Sequence, residues 1–289
     1  MDAVKLIPAI KEKVGIPLVA DIHFDYKLAL AAAEAGVDKI RINPGNIGGL
    51  DRVKLVADSC RQHGVPIRVG VNSGSLEKDI LEKFGSPTPE ALVESALRHV
   101  KILEQFDFDN IVISIKSSDV KTMIESYRLA SIRCSYPLHL GVTEAGTERM
   151  GIIKSAVGIG SLLADGIGET IRVSLTGDPL KEVSAAKDIL KAVGKGSGVE
   201  LVSCPTCGRT RIDLVRAASM IEDAVRDIDK NVKVAVMGCV VNGPGEAMEA
   251  DIGIAGGDKC AVIFKKGKVL RKISEDEIVP ELLKEIEKL

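Results

Sequence analysis

The sequence has almost no net charge, no long apolar run and no histidine after His139. Each shortage removes a class of protein. Lys and Arg number 39 against 41 Asp and Glu, a formal charge of −2, which gives no electrostatic case for nucleic acid or an anionic membrane as partner. No apolar stretch approaches the ~20 residues needed to cross a bilayer. The opening MDAVKLIPAIKEKVG lacks the apolar core and cleavage site of a signal peptide. Six cysteines without a secretion signal point to a reducing compartment, where thiols serve metals or catalysis. A cytoplasmic protein is expected.

What is present is enough for one large or two modest domains: 289 residues, 45% hydrophobic and 28% charged. Six β-branched runs recur, IPLVADIHF (16–24), KIRINP (39–44), PIRVGVN (66–72), NIVISIKSS (110–118), PLHLGVTEAG (137–146) and TIRVSLTG (170–177), each followed by a helical pattern. Strand then helix, repeated, predicts right-handed βαβ units and a parallel sheet buried on both faces. Polar residues gather at the C-terminal ends of these runs: Asp21 and His23, Arg41 and Asn43, Arg68 and Asn72, Ser114 and Lys116, and Glu144. Arginine or lysine lies inside four of the six. That is the pattern of a TIM-type (β/α) barrel, whose active face is the rim at the strand C-termini, more than of a doubly wound sheet. Eight strands would complete such a barrel, and the chain opens on a helix that delivers into the first of six. Two more strands ahead of Met1 are therefore expected, making this an N-terminally incomplete barrel. Near KAVGKGSGVE (191–200) a Gly/Lys/Ser-rich stretch reads as a linker. The predicted domains are 1–195, the barrel, and 196–289, a small α+β domain. The latter has strands in VELVSCP, VKVAVMG, ADIGIAG and a hairpin in CAVIFKKGKVLRKI that turns near Lys266-Gly267.

The second domain carries VSCPTCGRT (202–210) and VMGCVVNGPGEA (236–247). Cys204 and Cys207 have the spacing for two thiolates on one metal centre, and Cys239 sits beside a Gly/Pro turn able to wrap a cluster. Structural zinc wants four closed ligands from Cys and His, and this domain has no histidine. Its one further thiol, Cys260, opens a strand and reads as packing. A redox dithiol would use Cys204 and Cys207 and leave Cys239 idle. A 4Fe–4S cluster on three thiolates uses all three, with Glu246 a candidate fourth ligand. The cluster is the favoured reading, and zinc and the dithiol stay open on spacing alone. Cys60 and Cys134 fall in helical patterns and are expected to be buried small hydrophobes.

Three segments, ADIHFDYKLALAAAEAGVDKIRINPGNIG, CPTCGRTRIDL and MGCVVNGPGEA, resemble the 4-hydroxy-3-methylbut-2-enyl-diphosphate synthase (IspG/GcpE) family, in order along essentially the whole chain. The resemblance implies a TIM barrel joined to an iron–sulfur domain. It also implies an oxidoreductase of the methylerythritol phosphate route to isoprenoids, with a 4Fe–4S cluster on Cys204, Cys207, Cys239 and Glu246. The implied substrate is 2-C-methyl-D-erythritol 2,4-cyclodiphosphate and the product 4-hydroxy-3-methylbut-2-enyl diphosphate. The implied electron donor is flavodoxin or ferredoxin, or NADPH through a reductase. A head-to-tail homodimer is implied as well.

A diphosphate needs cations, and Arg41, Arg68 and Lys116 are the expected clamps. The turns INPGNIGG and GVNSGS offer backbone amides to phosphate oxygens, and Asn43 and Asn72 can bond the same atoms. Asp21 and His23 would orient substrate or serve acid/base steps. Glu144 is the expected proton donor, because the family has an acidic residue in the matching GVTEAG, and Glu246 is expected to yield its place on the cluster to substrate. Two rivals remain. One is a non-catalytic metal-binding module on a degenerate barrel, with zinc on Cys204, Cys207, Cys239 and Cys260. The other is a pterin-binding barrel of the dihydropteroate-synthase type, which gives the second domain's cysteines nothing to do.

Overall fold

The computed structural model describes residues 2–240, 245 and 247–289. The chain forms two compact units, Met1–Ile189 and Leu190–Leu289.

In the first unit all six expected runs contain strands: β1 (Val19–Asp21), β2 (Lys39–Ile42), β3 (Ile67–Asn72), β4 (Ile111–Lys116), β5 (His139–Leu140) and β6 (Thr170–Ile171). Helices follow them: α1 (Leu6–Lys11) leads in, then α2 (Tyr26–Glu34), α3 (Pro44–Ile47), α4 (Leu50–His63), α5 (Lys78–Phe84), α6 (Pro89–Glu104), α7 (Val120–Arg133), α8 (Glu148–Ala164) and α9 (Pro179–Ala192). The helix starts are written in short polar side chains. Asp25, Thr88 and Asp119 each accept a hydrogen bond from a first-turn amide, of Lys27, Ala91 and Thr122 respectively. Helix α4 stops where Gly64 takes a left-handed conformation, φ 67°, that costs glycine nothing. Its inward stripe, Val53, Val56, Ala57 and Cys60, has the i, i+3, i+4, i+7 spacing of one helical face.

Strands β1 to β4 form one parallel sheet in chain order, and β5 and β6 pair in parallel. A parallel bridge between Ile113 and Leu138 joins β4 to β5. The order thus runs from first to sixth without the reversal that marks a doubly wound sheet. Alternation puts Ile40 and Ile42, Ile67, Val69 and Val71, and Ile111, Ile113 and Ile115 on one face, all buried. The opposite face carries the polar residues, and strand register decides which of them meet.

The second unit is a five-stranded sheet in the order β11-β10-β9-β8-β7: β7 (Val199–Ser203), β8 (Val232–Met237), β9 (Ile252–Gly257), β10 (Cys260–Lys265) and β11 (Lys268–Ser274). The first three run parallel, and β10 and β11 are antiparallel, joined at Lys266-Gly267 as expected. Helices α10 (Leu214–Val225) and α11 (Ile278–Glu287) bury Leu214, Ile221, Val225, Ile278, Leu282 and Ile286 against Val234, Val236, Ile252, Ile254 and Ile263. The other face is built from small residues and one aromatic: Ala235, Ala255 and Phe264 pack with Met237, Ala247 and Ala250. Gly253 admits that aromatic, since a Cβ there would sit 2.5 Å from Phe264 Cζ.

Candidate active site

Three strands bring the first charged residues into line. Asp21 pairs in register with Arg41, and Arg41 with Arg68, so the three side chains stand abreast on β1, β2 and β3. Arg41 and Arg68 are both buried. Arg41 Nη1 donates to Asp21 Oδ1 at 2.9 Å, and Nη2 lies 3.5 Å from the carbonyl of Gly70. Gly70 is what makes room: a Cβ there would lie 2.3 Å from Arg41 Nε. The next rows follow from the same register. Gly70 lies beside Ser114, and Asn72 beside Lys116. His139 on β5 is buried, and its Nδ1 lies 2.8 Å from Thr170 Oγ1 on β6. Arg172, just past β6, packs with its main chain on Gly141 and donates from Nε to Ser174 Oγ at 2.9 Å.

One polar face thus collects Arg41, Arg68, Lys116 and Arg172, and Asp21 is paired into it. Electrostatics record the crowding. Burial lowers the Lys116 pKa to about 8, with Arg172 and Arg41 adding to the effect. Burial also lowers that of Arg68, although Asp21 opposes the shift. For His139, burial, Arg68 and Arg172 take it down to about 3, so the ring is neutral at physiological pH. Asp21 goes the other way: burial would raise its carboxyl, but the charge and hydrogen bond of Arg41 win and hold it low. Arg41 Nε, Arg68 Nε and His139 Nε2 are buried without a hydrogen-bond partner. Buried nitrogens without partners beside packed cations suit an anion.

The expected residues are not all in this group. Asn43 follows Arg41 on the same face and Asn72 stands beside Lys116, but each spends Oδ1 on its own turn, accepting from Gly45 N at 3.0 Å and Gly74 N at 3.3 Å. Only their Nδ2 groups remain for a ligand. His23 is exposed beside Phe24, though its charge helps hold Asp21 ionised. Glu144 is exposed on the loop after β5 in a left-handed conformation, φ 51°, and makes no ion pair among the described residues. Arg172 and His139 were absent from the expected set. Arg172 carried the same signal as Arg41 and Arg68, an arginine inside a β-branched run.

In the second unit Cys204 and Cys239 leave neighbouring parallel strands at the same edge, because Ser203 lies in register with Val236. Cys204 Sγ accepts from Gly238 N at 3.2 Å, the type of contact that tunes a metal-bound thiolate. Cys239 is buried and Cys207 exposed. Backbone and side-chain hydrogen bonds from Arg209 lower the Cys207 pKa, which favours the thiolate. Glu246 lies outside the described residues. Among the described residues no three His, Cys, Asp or Glu side chains are gathered as a metal centre. Cys260 opens β10, and Cys60 is buried with its thiol pKa pushed up to about 12 by burial, that of an inert packing group.

The arrangement makes Gly70→Ala informative. The added methyl must displace the Arg41 guanidinium, breaking its alignment with Asp21, while the backbone needs no change. Pyrophosphate affinity, measured by calorimetry, should fall about tenfold, the loss of one charge-assisted contact, with the circular dichroism spectrum unchanged. Unaltered affinity would remove Arg41 from the site.

Comparison with known proteins bears on both units. The family described as the GcpE TIM-barrel domain matches residues 1–187, and the GcpE protein C-terminal domain matches residues 200–288. A 4-hydroxy-3-methylbut-2-en-1-yl diphosphate synthase (flavodoxin) of Clostridium perfringens is 62% identical over 288 residues, 99% of this chain and 82% of the relative. The like-named protein of Geobacillus kaustophilus is 58% identical, over 99% of this chain and 77% of the relative. A solved dihydropteroate synthetase structure overlaps 67% of this chain and 73% of its own at 16% identity, with a TM-score of 0.44. Matched along both units, the chain belongs to the GcpE family, that of the 4-hydroxy-3-methylbut-2-en-1-yl diphosphate synthases.

Proposed function

We propose that this chain reductively opens 2-C-methyl-D-erythritol 2,4-cyclodiphosphate to 4-hydroxy-3-methylbut-2-enyl diphosphate, with loss of one hydroxyl as water and uptake of two electrons. The observation that carries this reading is the cationic face of the first unit. Arg41, Arg68, Lys116 and Arg172 against the paired Asp21, with three buried nitrogens unpartnered, suit a compact ligand bearing two phosphates. The β/α unit is read as the wall of a TIM-type barrel.

Arg41, Arg68 and Arg172 would hold phosphate oxygens through N–H donors fixed by packing, so little side-chain freedom is lost on binding. Lys116 would add a point charge, and neutral His139 a hydrogen bond from Nε2. Asp21 holds Arg41 in place. Glu144, exposed on its loop, would deliver the proton that leaves with the hydroxyl, and His23 would assist at the same edge.

Cys204, Cys207 and Cys239 would hold a 4Fe–4S cluster, with Glu246 as fourth ligand. The donor set fits: three thiols in a unit without histidine, two at one sheet edge, one receiving an amide hydrogen bond and one shifted toward thiolate. When bound, such a cluster supplies the electrons. Flavodoxin, which both relatives carry in their names, is the proposed donor, with ferredoxin the alternative. A homodimer in the cytoplasm is the proposed working form. No helix among the described residues is long and apolar enough to cross a membrane.

Lys116 gives the reading a pH signature. With its pKa lowered to about 8, it is cationic below that pH and neutral above. Asp21 stays ionised and His139 neutral from pH 7 upward. Affinity for the cyclodiphosphate should therefore be greatest below pH 8 and fall above it, by up to about tenfold per pH unit for one coupled proton. Lys116→Arg, charged throughout, should flatten that fall. A titration with equal alkaline slopes in both proteins would exclude Lys116 from the site.

A further inference from the structure

The parallel ladder is interrupted between β4 and β5. Ile113 N donates to Pro137 O at 2.9 Å, and further along Thr143 N donates to Ser117 O at 3.2 Å. Both bonds fit one unbroken parallel register, with Ile113 bridged to Leu138. The rung between them, from Ile115 N to His139 O, is replaced. Tyr127 of α7 inserts its hydroxyl there, accepting from Ile115 N at 2.9 Å and donating to His139 O. The tyrosine is fully buried. A direct rung would hold the two strands about 2.9 Å apart, N to O. Two hydrogen bonds in series through an oxygen hold them further apart.

The wedge opens where the cations converge. Ser114 and Lys116 flank Ile115 on β4 and point to the opposite face from it. Together with His139, Gly141, Thr143 and Arg172 they line a narrow crevice. His139 is pinned twice, by Tyr127 at its carbonyl and by Thr170 at Nδ1, and its buried Nε2 is left without a partner. We propose that Tyr127 is a positioning residue for the anion site: its hydroxyl sets the gap between β4 and β5, and so the spacing of Ser114 and Lys116 from His139 and Arg172. The inference rests on the reading of this face as the diphosphate site. Without the hydroxyl, Ile115 N and His139 O either lose their partner or close into a direct rung, and closure narrows the crevice.

The test measures binding of inorganic pyrophosphate by calorimetry, and KM for the cyclodiphosphate with the cluster-reconstituted enzyme. Tyr127→Phe should weaken pyrophosphate binding and raise KM at least tenfold, with kcat within threefold of wild type and iron content unchanged. Replacing Tyr127 by 4-aminophenylalanine, whose amine donates and accepts, should restore affinity to within threefold. Ala130→Gly, buried on the same helix but away from the rung, should lower the melting temperature and leave affinity alone. Should the phenylalanine protein not fold, amide exchange of Ile115 in the wild type decides: pyrophosphate should slow it at least tenfold. Wild-type affinity in Tyr127→Phe, equal weakening in Ala130→Gly, or unchanged Ile115 exchange would overturn the proposal. Pyrophosphate failing to bind wild type would instead overturn the reading of the cationic face, and this inference with it.

Discussion

Changing Cys204, Cys207 or Cys239 singly to serine is expected to remove the cluster outright: iron and sulfide, about four each per chain after anaerobic reconstitution, should drop to near zero. The three thiols differ in setting, so the single variants are not redundant. Cys239 is buried, Cys204 takes an amide hydrogen bond from Gly238, and Cys207 is exposed with its pKa lowered by Arg209. Serine keeps the size of each and removes the soft sulfur that iron requires. Changes at Cys60, Cys134 and Cys260 should leave the cluster intact. The zinc module predicts the opposite at Cys260, and a colourless protein. Full iron content in Cys239→Ser would remove Cys239 from the ligand set.

The second large effect concerns Arg68, and it carries two signs. Arg68 is buried, and its Nε has no partner in the described structure. Replacing it should remove a charge-assisted contact worth roughly 1.5–3 kcal/mol, which lowers cyclodiphosphate affinity about 10- to 150-fold. The packed cations repel one another: Arg68 lowers the pKa of both Lys116 and His139, and its own is lowered by burial and by Arg172 and Arg41. Arg68→Met, similar in length and uncharged, relieves that repulsion and should melt no lower than wild type in the absence of ligand. Stability given up for binding is the usual mark of a functional cluster. A protein that melts several degrees lower and binds normally would make Arg68 a structural residue. Arg41→Ala should also weaken binding, but it leaves the half-buried Asp21 without its ion pair, so there melting should fall too.

Most strands were legible because they are β-branched runs ended by Gly, Pro, Asn or Ser, down to the hairpin turn at Lys266-Gly267. Parallel burial explains the apolar runs, and a polar residue inside one stood out for that reason. Arg41, Arg68, Lys116 and Arg172 all stand out in this way. That His139 shares a face with them depends on register across β4, β5 and β6, which no local pattern encodes. The same strands came out shorter than PLHLGVTEAG and TIRVSLTG suggested, with ladder only at His139–Leu140 and Thr170–Ile171. A side chain from α7 occupies one of the rungs, and that substitution is invisible until helix and sheet are assembled. The asparagines were read as ligands from their place at strand ends. Their side-chain oxygens also cap the turns that follow, which leaves each Nδ2 to donate to a phosphate oxygen.

The most direct test is a single turnover. The chain, reconstituted anaerobically and reduced, is mixed with 2-C-methyl-D-erythritol 2,4-cyclodiphosphate, and the products are followed by mass spectrometry. 4-Hydroxy-3-methylbut-2-enyl diphosphate should be formed by wild type and by Cys260→Ser but not by Arg68→Met at low substrate or by Cys239→Ser. Unchanged cyclodiphosphate in a wild-type sample with full iron and sulfide would contradict the proposed reaction.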